Sequence, residues 1–386
     1  MCNILHLPRY FFTQLVLFAL MANSSMAAEA TASLSGYYKN LLINSNTMAF
    51  FPPSESYLVD LNRLRLKVDG QVGEKFSFNL QYDNEAYLGS YTDTNEFGFA
   101  VKNRQPDTSI DLQDNYYDQN NVFARQRVYR AYVDVALPAV DLRIGRQRIA
   151  WGTAMMWNPM DILNPFNPIQ LERLEREGID AALLDWDYSA LSRVSLVYAK
   201  KQSGDSSAVR WRSNLLGFDL SLMAGRFLEN TVFGFDFAGQ VGDIGVRGEM
   251  TQTDPDNERR FTHAVVGADY TFSNSLSFNL EFYFNSQGST RSKAYQFNRL
   301  LSGDMLSLAR HYMGFYSSYD VTPLLQASYF LIVNLDDNST FFSPNLVYSV
   351  TDNIEGSAGV QTFNGDTGSE FGTFENVYFV QLQWFF

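Results

Sequence analysis

Several basic side chains are spaced so that they fall on one face of predicted β-strands. Arg63, Arg65 and Lys67 alternate with leucine and valine residues, and Arg130 and Arg143 are placed in the same way in later segments. If the apolar residues face lipid, the basic residues face the interior of a closed barrel. Inward rings of arginine and lysine attract anions and replace part of their lost hydration, so this spacing predicts a pore that favours anions.

Other arginines crowd the predicted strand ends, namely Arg125, Arg127, Arg146 and Arg148. An arginine that faces lipid at the membrane midplane costs about 2–4 kcal/mol, so these side chains are expected to leave the lipid zone. A competing interpretation is that inward arginines only pair with inward carboxylates and stiffen the wall. The candidate partners are Asp83, Asp134, Asp141, Glu172, Glu175 and Glu177. The two interpretations can hold together, because one guanidinium has five donors.

The sequence gives little sign of catalysis. After residue 27 the only histidines are His263 and His311, and neither has a partner at the spacing of a known motif. The chain also lacks the nucleophile-elbow, metalloprotease, phosphate-loop and dinucleotide-binding patterns. We therefore predict no catalytic residue, no cofactor and no metal site. An outer-membrane lipid or peptide hydrolase that uses His311 with a serine or aspartate is the alternative.

Two-residue alternation identifies the elements that must position these side chains. In 76–83, apolar and polar residues alternate, and 276–285 and the last residues up to Phe386 repeat the pattern. In a barrel, this alternation places apolar side chains toward lipid and polar side chains toward the lumen. Turn signals such as Asp69-Gly70 and Gly242-Asp243 separate the runs, and longer polar segments such as 84–122 interleave with them.

The two ends of the chain indicate export and barrel assembly. Residues 1–27 contain Arg9, an apolar run and Ser25-Met26-Ala27, which together predict a cleaved signal peptide. Cys2 is the only cysteine and lies within that segment, so the expected mature chain has no thiol. No later stretch is apolar enough for a transmembrane helix. We predict a signal peptide over 1–27 and one domain over 28–386.

Composition supports a membrane-spanning barrel. Aromatic residues make up 15% of the chain, as expected for aromatic girdles at both membrane interfaces. The net charge of −13 argues against nucleic acid as a partner. We predict an all-β, antiparallel transmembrane barrel of eighteen strands in the bacterial outer membrane, with sixteen strands as the fallback because the hairpin over 207–225 is weakly marked. Its expected partners are outer-membrane lipid, lipopolysaccharide and a small anionic or polar solute.

One segment interrupts the strand rhythm. Residues 158–168 contain three prolines among several Asn and Asp residues, which excludes a regular strand or helix. Residues 169–177 then have leucine and glutamate spacing that predicts a short helix before the sixth strand. A loop this long usually has a function. We expect the segment between the fifth and sixth strands to fold into the lumen and narrow it.

This segment also resembles a known family. The pattern of Arg143, Gly145, Arg146, Gln147, Trp151, Gly152, Asn158, Pro159, Asp161, Asn164 and Pro165 resembles bacterial outer-membrane porin-like proteins related to alginate-export-type porins. The resemblance implies an eighteen-stranded barrel whose constricted, arginine-lined lumen passes an anionic solute. The predicted lumen and constriction residues are Arg63, Arg65, Arg130, Arg143, Arg146, Gln147, Arg148, Trp151, Asn158, Asp161, Asn164, Glu172 and Arg173. A closed scaffold or adhesion barrel that acts through the 84–122 loop is a further alternative to a channel.

Overall fold

The computed structural model describes residues 30–172 and 176–386 and contains one antiparallel sheet that closes on itself. The predicted signal peptide and Arg173 lie outside these residues. Within them the strands are β1 (Ala30–Asn46), β2 (Ser56–Val72), β3 (Phe76–Leu88), β4 (Gln113–Gln119), β5 (Val122–Leu137), β6 (Val140–Gln147), β7 (Ile179–Ser189), β8 (Ser192–Lys200), β9 (Asp205–Leu215), β10 (Phe218–Phe227), β11 (Asn230–Val241), β12 (Ile244–Pro255), β13 (Phe261–Thr271), β14 (Ser277–Asn285), β15 (His311–Thr322), β16 (Leu325–Asn334), β17 (Thr340–Thr351), β18 (Ile354–Asn364) and β19 (Val377–Phe385).

Eighteen of these strands form the barrel, which confirms the predicted architecture and strand number. Each barrel strand pairs with its neighbours along the chain, and β1 closes the barrel by pairing with both β2 and β19. The backbones of Gly36 and Phe386 exchange two hydrogen bonds at the seam, with N···O distances of 2.9 and 3.1 Å. The aromatic C-terminal residue therefore takes part in closure.

The extra strand, β4, lies within the predicted 84–122 loop and does not belong to the barrel. It pairs with Val122–Arg127 of β5, whose other edge pairs with β3. The shorter β6 pairs only with Ala131–Leu137 of β5. The loop thus returns a strand to the edge of β5 that β6 leaves free, so the backbone groups of that edge are satisfied.

Alternation in the sequence becomes two different barrel faces. On β14, Leu280 and Phe282 are exposed on the outer face, whereas Glu281 and Tyr283 are buried inside. Large apolar side chains are exposed on the outer face of strands around the barrel, which is the arrangement required in a hydrocarbon environment. No helix within 30–172 and 176–386 has the length and apolar composition to cross a membrane.

Long loops and short turns alternate at the two ends of the barrel. The segment between β6 and β7, residues 148–178, is called the inserted loop below. Its described residues form turns without a helix, so the short helix that we predicted over 169–177 is not seen there. Helical turns lie instead after β3, at Ser90–Asp93, Asn95–Phe97 and Gly98–Lys102, before β15, at Ser292–Ala294 and Phe297–Ser302, and before β19, at Phe371–Thr373.

Candidate functional site

The inserted loop first packs against the inner face of β7 to β11. Its residues Ile149, Trp151, Met160 and Leu163 are buried in one apolar cluster. The barrel residues in this cluster are Ile179, Ala181, Val197, Ala199, Ala208, Met223, Phe227 and Val232. Apolar inward residues are unusual for a water-filled lumen, and here they are covered by the loop. The prediction that this segment folds into the barrel is confirmed.

The loop then reaches the wall formed by β12 to β15. Glu249 of β12 accepts hydrogen bonds from the backbone N–H groups of Thr153, Ala154 and Met160, the last at 3.1 Å. Glu281 of β14 accepts three more, from Met155 at 2.7 Å, Met156 at 3.0 Å and Trp157 at 3.3 Å. Two inward carboxylates thus satisfy six backbone donors of the loop.

An aromatic contact fixes the same part of the loop. The Trp157 ring stacks on Tyr283 with a centroid distance of 5.2 Å and an interplanar angle of 8°. Trp157 also lies against Tyr312 of β15, and all three side chains are buried in a second apolar cluster. The loop therefore has both polar and apolar attachment to the wall opposite its own strands.

Residues of the recognised motif shape the loop locally. Gly152 has a φ of +100°, and a Cβ there would overlap with Asn158 Oδ1 and the Glu249 carboxylate. Asn164 accepts a hydrogen bond from Ile149 N–H at 2.9 Å and donates one to the Glu177 carbonyl at 2.7 Å, which joins the two ends of the loop. Gly152 and Asn164 of the motif thus set the local turn geometry of the loop and join its two ends.

The loop returns past β18, β1 and β2 to its starting side. Gln361 of β18 donates to the Ile169 carbonyl at 3.2 Å. Glu172 then pairs with Lys39 of β1 and with Arg63 of β2, at 2.8 Å in the second case. The described parts of the loop therefore follow the inner wall almost completely around the barrel. They contact, in turn, β7, β12, β14, β18, β1 and β2.

Basic side chains are clustered where the loop returns to its starting side of the barrel. We define the basic cluster as Lys39, Arg63, Arg65, Arg125, Arg127, Arg130, Arg148 and Arg176. Four of its arginines pair with two buried carboxylates of β3, namely Glu85 and Asp83. Glu85 accepts from Arg63 and Arg125 at 2.6 Å and from Arg127 at 3.0 Å, and Asp83 accepts twice from Arg65 at 2.6 Å. These arginines are 2–9% exposed, so they stabilise the wall more than they contact the lumen.

Two members of the basic cluster have no carboxylate partner among the described residues. Arg130 is buried, and its guanidinium donates to the carbonyls of Tyr129 and Arg176, at 2.8 and 2.5 Å. Arg148 is exposed and lies in the electrostatic environment of Arg130, Arg176 and Asp161. The Tyr129 ring lies between Arg65 and Arg130, 3.6 and 4.1 Å from its centroid. The positive charges of Arg130 and Arg148 are therefore not balanced by a paired carboxylate among the described residues.

The acidic groups of the loop respond to burial and to these cations. Burial raises the pKa of Asp161 to about 7, although Arg176 is only 2.6 Å away and opposes the shift. Burial acts in the same direction on Glu172, but Arg63 and Lys39 outweigh it and hold the pKa of Glu172 below its ordinary value. Glu172 thus compensates cations of the cluster at neutral pH.

The remaining predicted residues lie elsewhere. Arg143 pairs with Asp134 at 2.6 Å in the periplasmic half of the lumen, where both are partly exposed. Arg146 alternates with Leu142 and Ile144 on the outer face. There it donates to Asp180 at 2.9 Å and to the carbonyl of Ile110, which belongs to the connection between β3 and β5, called the 89–121 loop below. Its contacts separate it from the lumen wall to which we assigned it. Gln147 is buried and donates to the Ala181 carbonyl at 2.9 Å.

Sequence reasoning missed the residues that hold the loop. Glu249, Glu281 and Tyr283 each occupy an ordinary inward position on a strand, and no local pattern connects them with a segment about a hundred residues earlier. The two histidines lie at the edge of this arrangement. His263 is part of the inner wall, where its ring is 6.0 Å from that of Tyr283, and His311 pairs with Asp336 at 3.0 Å at the loop end of β15.

Comparison with known proteins supports the fold. Residues 56–184 match the model of a family of proteins of unknown function, DUF1302. The outer membrane protein opdK from Pseudomonas aeruginosa is similar in structure, with a TM-score of 0.59 and 10% identity over 92% of this chain and 98% of that one. OccK9 (OpdG) from the same organism and OccAB2 from Acinetobacter baumannii each give a TM-score of 0.58, at 11% and 9% identity and the same coverage.

No curated protein matches the chain by sequence. At these identities the structural matches establish the fold, a closed antiparallel β-barrel like that of the outer membrane protein opdK. A closed barrel with an apolar outer face belongs in the outer membrane, where every backbone polar group must be satisfied within the sheet. The chain is therefore an outer-membrane β-barrel, as predicted.

Proposed function

We propose that the protein is a channel for small anionic or polar solutes, with the inserted loop as its constriction and the basic cluster as its selective wall. The observation that carries this proposal is the charge balance around the loop. The eight cations of the cluster are accompanied by five carboxylates, Asp83, Glu85, Asp161, Glu172 and Glu177. Within the described residues this leaves three positive charges in excess.

Most of these charged side chains are buried, but burial does not abolish their electrostatic effect on a solute in the lumen. A guanidinium that is paired within the wall contributes little on its own, but an unpaired one acts through a medium of lower dielectric constant than water. Arg130 supplies such a charge within the wall, and Arg148 supplies an exposed one. An anion that approaches Arg148 therefore meets attraction that no neighbouring carboxylate fully cancels.

The periplasmic half of the lumen supports passage of hydrated solutes. Its inward side chains form exposed or half-exposed ion pairs, such as Lys67–Asp69, Arg143–Asp134 and Arg193–Asp185. Their side chains are 18–42% exposed, as expected for walls in contact with water. A solute that passes the loop would enter this polar vestibule.

Two finer relationships belong to the same proposal. The motif over 143–165 favours kinship with alginate-export-type porins, and it lies inside the segment that matches the family model. The apolar outer face and the long loops at one end favour contact with outer-membrane lipid and lipopolysaccharide. Both relationships are consistent with an anionic solute, whose chemical identity the charge pattern does not specify further.

Ion selectivity measured in planar bilayers tests the proposal. The wild-type chain should conduct, and its reversal potential under a salt gradient should indicate anion preference. Arg148→Ala and Arg143→Ala should each shift the reversal potential toward cations, because each removes a positive charge in contact with lumen water. Arg260→Ala is the matched control, since Arg260 is exposed on an outer loop, paired with Asp254.

The possible results separate the candidate functions. Unchanged permeability ratios in both lumen variants would refute selection by these arginines. A wild-type chain that inserts stably but does not conduct would favour the closed scaffold. Hydrolysis of lipid or peptide that disappears in His311→Ala would favour the enzyme.

A further inference from the structure

The lipid-facing surface of the barrel contains an open recess. Its volume is about 770 Å³, and residues of eight neighbouring strands, from β14 through β19 to β1 and β2, line it, most of them with outward side chains. The side chains that project from this flank of the barrel therefore border one common space on its outer surface.

Strand register shows that the recess follows the hydrogen-bonding direction of the sheet. Phe278, Ser317, Tyr329 and Pro344 are successive cross-strand partners. Beyond a break at Pro344, the row continues through Val360, Tyr378, Asn44 and Leu58, each the partner of the next. A second row beside it contains Ala327, Leu346 and Ala358. At about 4.8 Å between strands, the trough is on the order of 30 Å long.

Small residues form the floor and large residues the rims. Ser317 is 2% exposed beneath the rings of Phe278 and Tyr329, and Ala327 and Ala358 occupy the second row. Phe342, Leu346 and Val380 stand along the trough and are 38–57% exposed. The recess is thus built by the choice of side-chain size.

A break in the sheet lies at the centre of the trough. Pro344 has no N–H to donate, and the pairing of β17 with β18 is interrupted between Phe342 and Asn345. The Pro344 carbonyl approaches Gly359 of β18 so closely that a Cβ at this glycine would come within 2.8 Å of it. Proline inside a sheet is normally confined to edge strands and bulges. The position of Pro344 within a closed barrel therefore indicates that β17 is irregular at this point.

We propose that this trough is a binding site for an acyl chain of an outer-membrane lipid. The occupant follows from its surroundings, because the recess opens within the apolar belt and only hydrocarbon can reach it there. A chain in a trough contacts protein on its floor and both rims, whereas a chain on a convex wall contacts protein on one side. Since dispersion contacts add up atom by atom, the trough retains a chain longer than the rest of the surface does.

The orientation of the trough also suits an acyl chain. Barrel strands are tilted by about 35–45°, and a row perpendicular to them climbs across the membrane at a similar slope. The row starts near the periplasmic end of β14 and ends near the loop end of β2. An extended chain can therefore lie along it while its headgroup stays at a membrane interface.

Photolabelling tests this proposal. The full chain is inserted into vesicles of phosphatidylethanolamine that contain a trace of the same lipid with a diazirine at the end of one acyl chain. In the wild type, label should be enriched several-fold in peptides of β16 to β18 over peptides of β7 and β8, and excess unlabelled lipid should saturate the site. Ala358→Leu and Ala327→Leu should abolish the enrichment, because leucine fills the floor.

Ala182→Leu is the matched control. Ala182 faces outward between Ile144 and Tyr198, away from the trough, so its replacement should leave the labelling pattern unchanged. If a floor variant does not fold, the distribution of label on the wild type decides by itself. Label spread evenly around the barrel would overturn the proposal. Cross-links between two protein chains at β16 to β18, with lipid label absent there, would overturn it in favour of a second copy as occupant.

Discussion

The attachment of the inserted loop to Glu249 and Glu281 can be tested by removing either carboxylate. Each accepts three hydrogen bonds from backbone N–H groups of the loop. Replacement by alanine leaves those donors buried without an acceptor, which costs about 1–3 kcal/mol for each donor. Glutamine keeps one carbonyl oxygen as an acceptor but loses the charge, so its effect should be smaller.

The free-energy cost of these unsatisfied donors is partly offset, because the variant does not have to remove a carboxylate from water when the loop docks. Breaking a buried charged interaction from one side costs about 3–5 kcal/mol in total. At about 1.4 kcal/mol for each factor of ten, the ratio of docked to undocked loop should fall by roughly two to three and a half orders of magnitude. Glu281→Ala should affect Met155 to Trp157, and Glu249→Ala should affect Thr153, Ala154 and Met160.

A single thiol reports on docking, because Cys2 is the only cysteine and lies in the predicted signal peptide. Met156 is 1% exposed, so Met156→Cys should react slowly with a water-soluble thiol reagent. Adding Glu281→Ala should speed the reaction by the factor above, and single-channel conductance should become larger and noisier. Asp185→Asn is the control, since Asp185 pairs with Arg193 and Ser195 and contacts no described residue of the loop.

The reasoning would be refuted by one combined result. If Met156→Cys reacts at the same rate with and without Glu281→Ala, and conductance is also unchanged, the carboxylates do not hold the loop. Faster thiol reaction with unchanged conductance would show that the loop is held there but does not limit ion flow.

Three further predictions address the loops. Trp157→Ala removes the stack on Tyr283, should destabilise docking by about 3–5 kcal/mol, and should raise conductance in the bilayer assay. Gly152→Ala should impair folding or displace the loop, as measured by the heat-modifiable mobility of the protein on a gel. Gly73→Ala should have a smaller effect, because Gly73 also has a positive φ but no atom lies within 4 Å of its Cβ position, so only backbone strain is added. Burial raises the pKa of Glu370 to about 7, so its protonated form stabilises the fold at low pH and this contribution is lost as pH rises through 7. Unfolding temperature should therefore fall as pH rises from about 4.5, the ordinary pKa of a glutamate, to about 7 and should not change further from this group above that, and Glu370→Gln should flatten that dependence.

Strand content was predictable because lipid and water impose opposite demands on alternate residues. The run 76–83 shows this directly, since Phe76 and Phe78 are exposed on the outer face and Asp83 is buried inside. Turn chemistry located Gly242-Asp243 correctly, but the turn predicted at Asp69-Gly70 lies at 73–75, because β2 continues through Gly70. Glycine tolerates a strand position, so its presence alone does not mark a turn.

The path of the inserted loop was not predictable from local sequence. That it folds inward followed from its length and prolines, but its partners lie on β12, β14, β18, β1 and β2. Such contacts depend on the diameter and register of the closed barrel, which no short window of sequence contains. The outward direction of the Arg146 side chain was not predictable for the same reason. Its partner on the outer face, the Ile110 carbonyl, belongs to the 89–121 loop, and only the folded barrel brings that loop over β6.

A single irregularity in β5 explains how the basic cluster is assembled. Arg125 and Arg127 have odd numbers, whereas Arg130 and Asp134 have even numbers, so strict alternation would turn one pair toward lipid. The pairing with β3 shifts by one residue at this point, where Gln81 faces Arg130 and Tyr82 faces Val128, which leaves Tyr129 as the extra residue. The bulge reverses the parity, so all four charged side chains face inward, and it places Tyr129 beside Arg130. Without it, an arginine would face lipid at a cost of about 2–4 kcal/mol, so the bulge is the feature of the backbone on which the basic cluster depends.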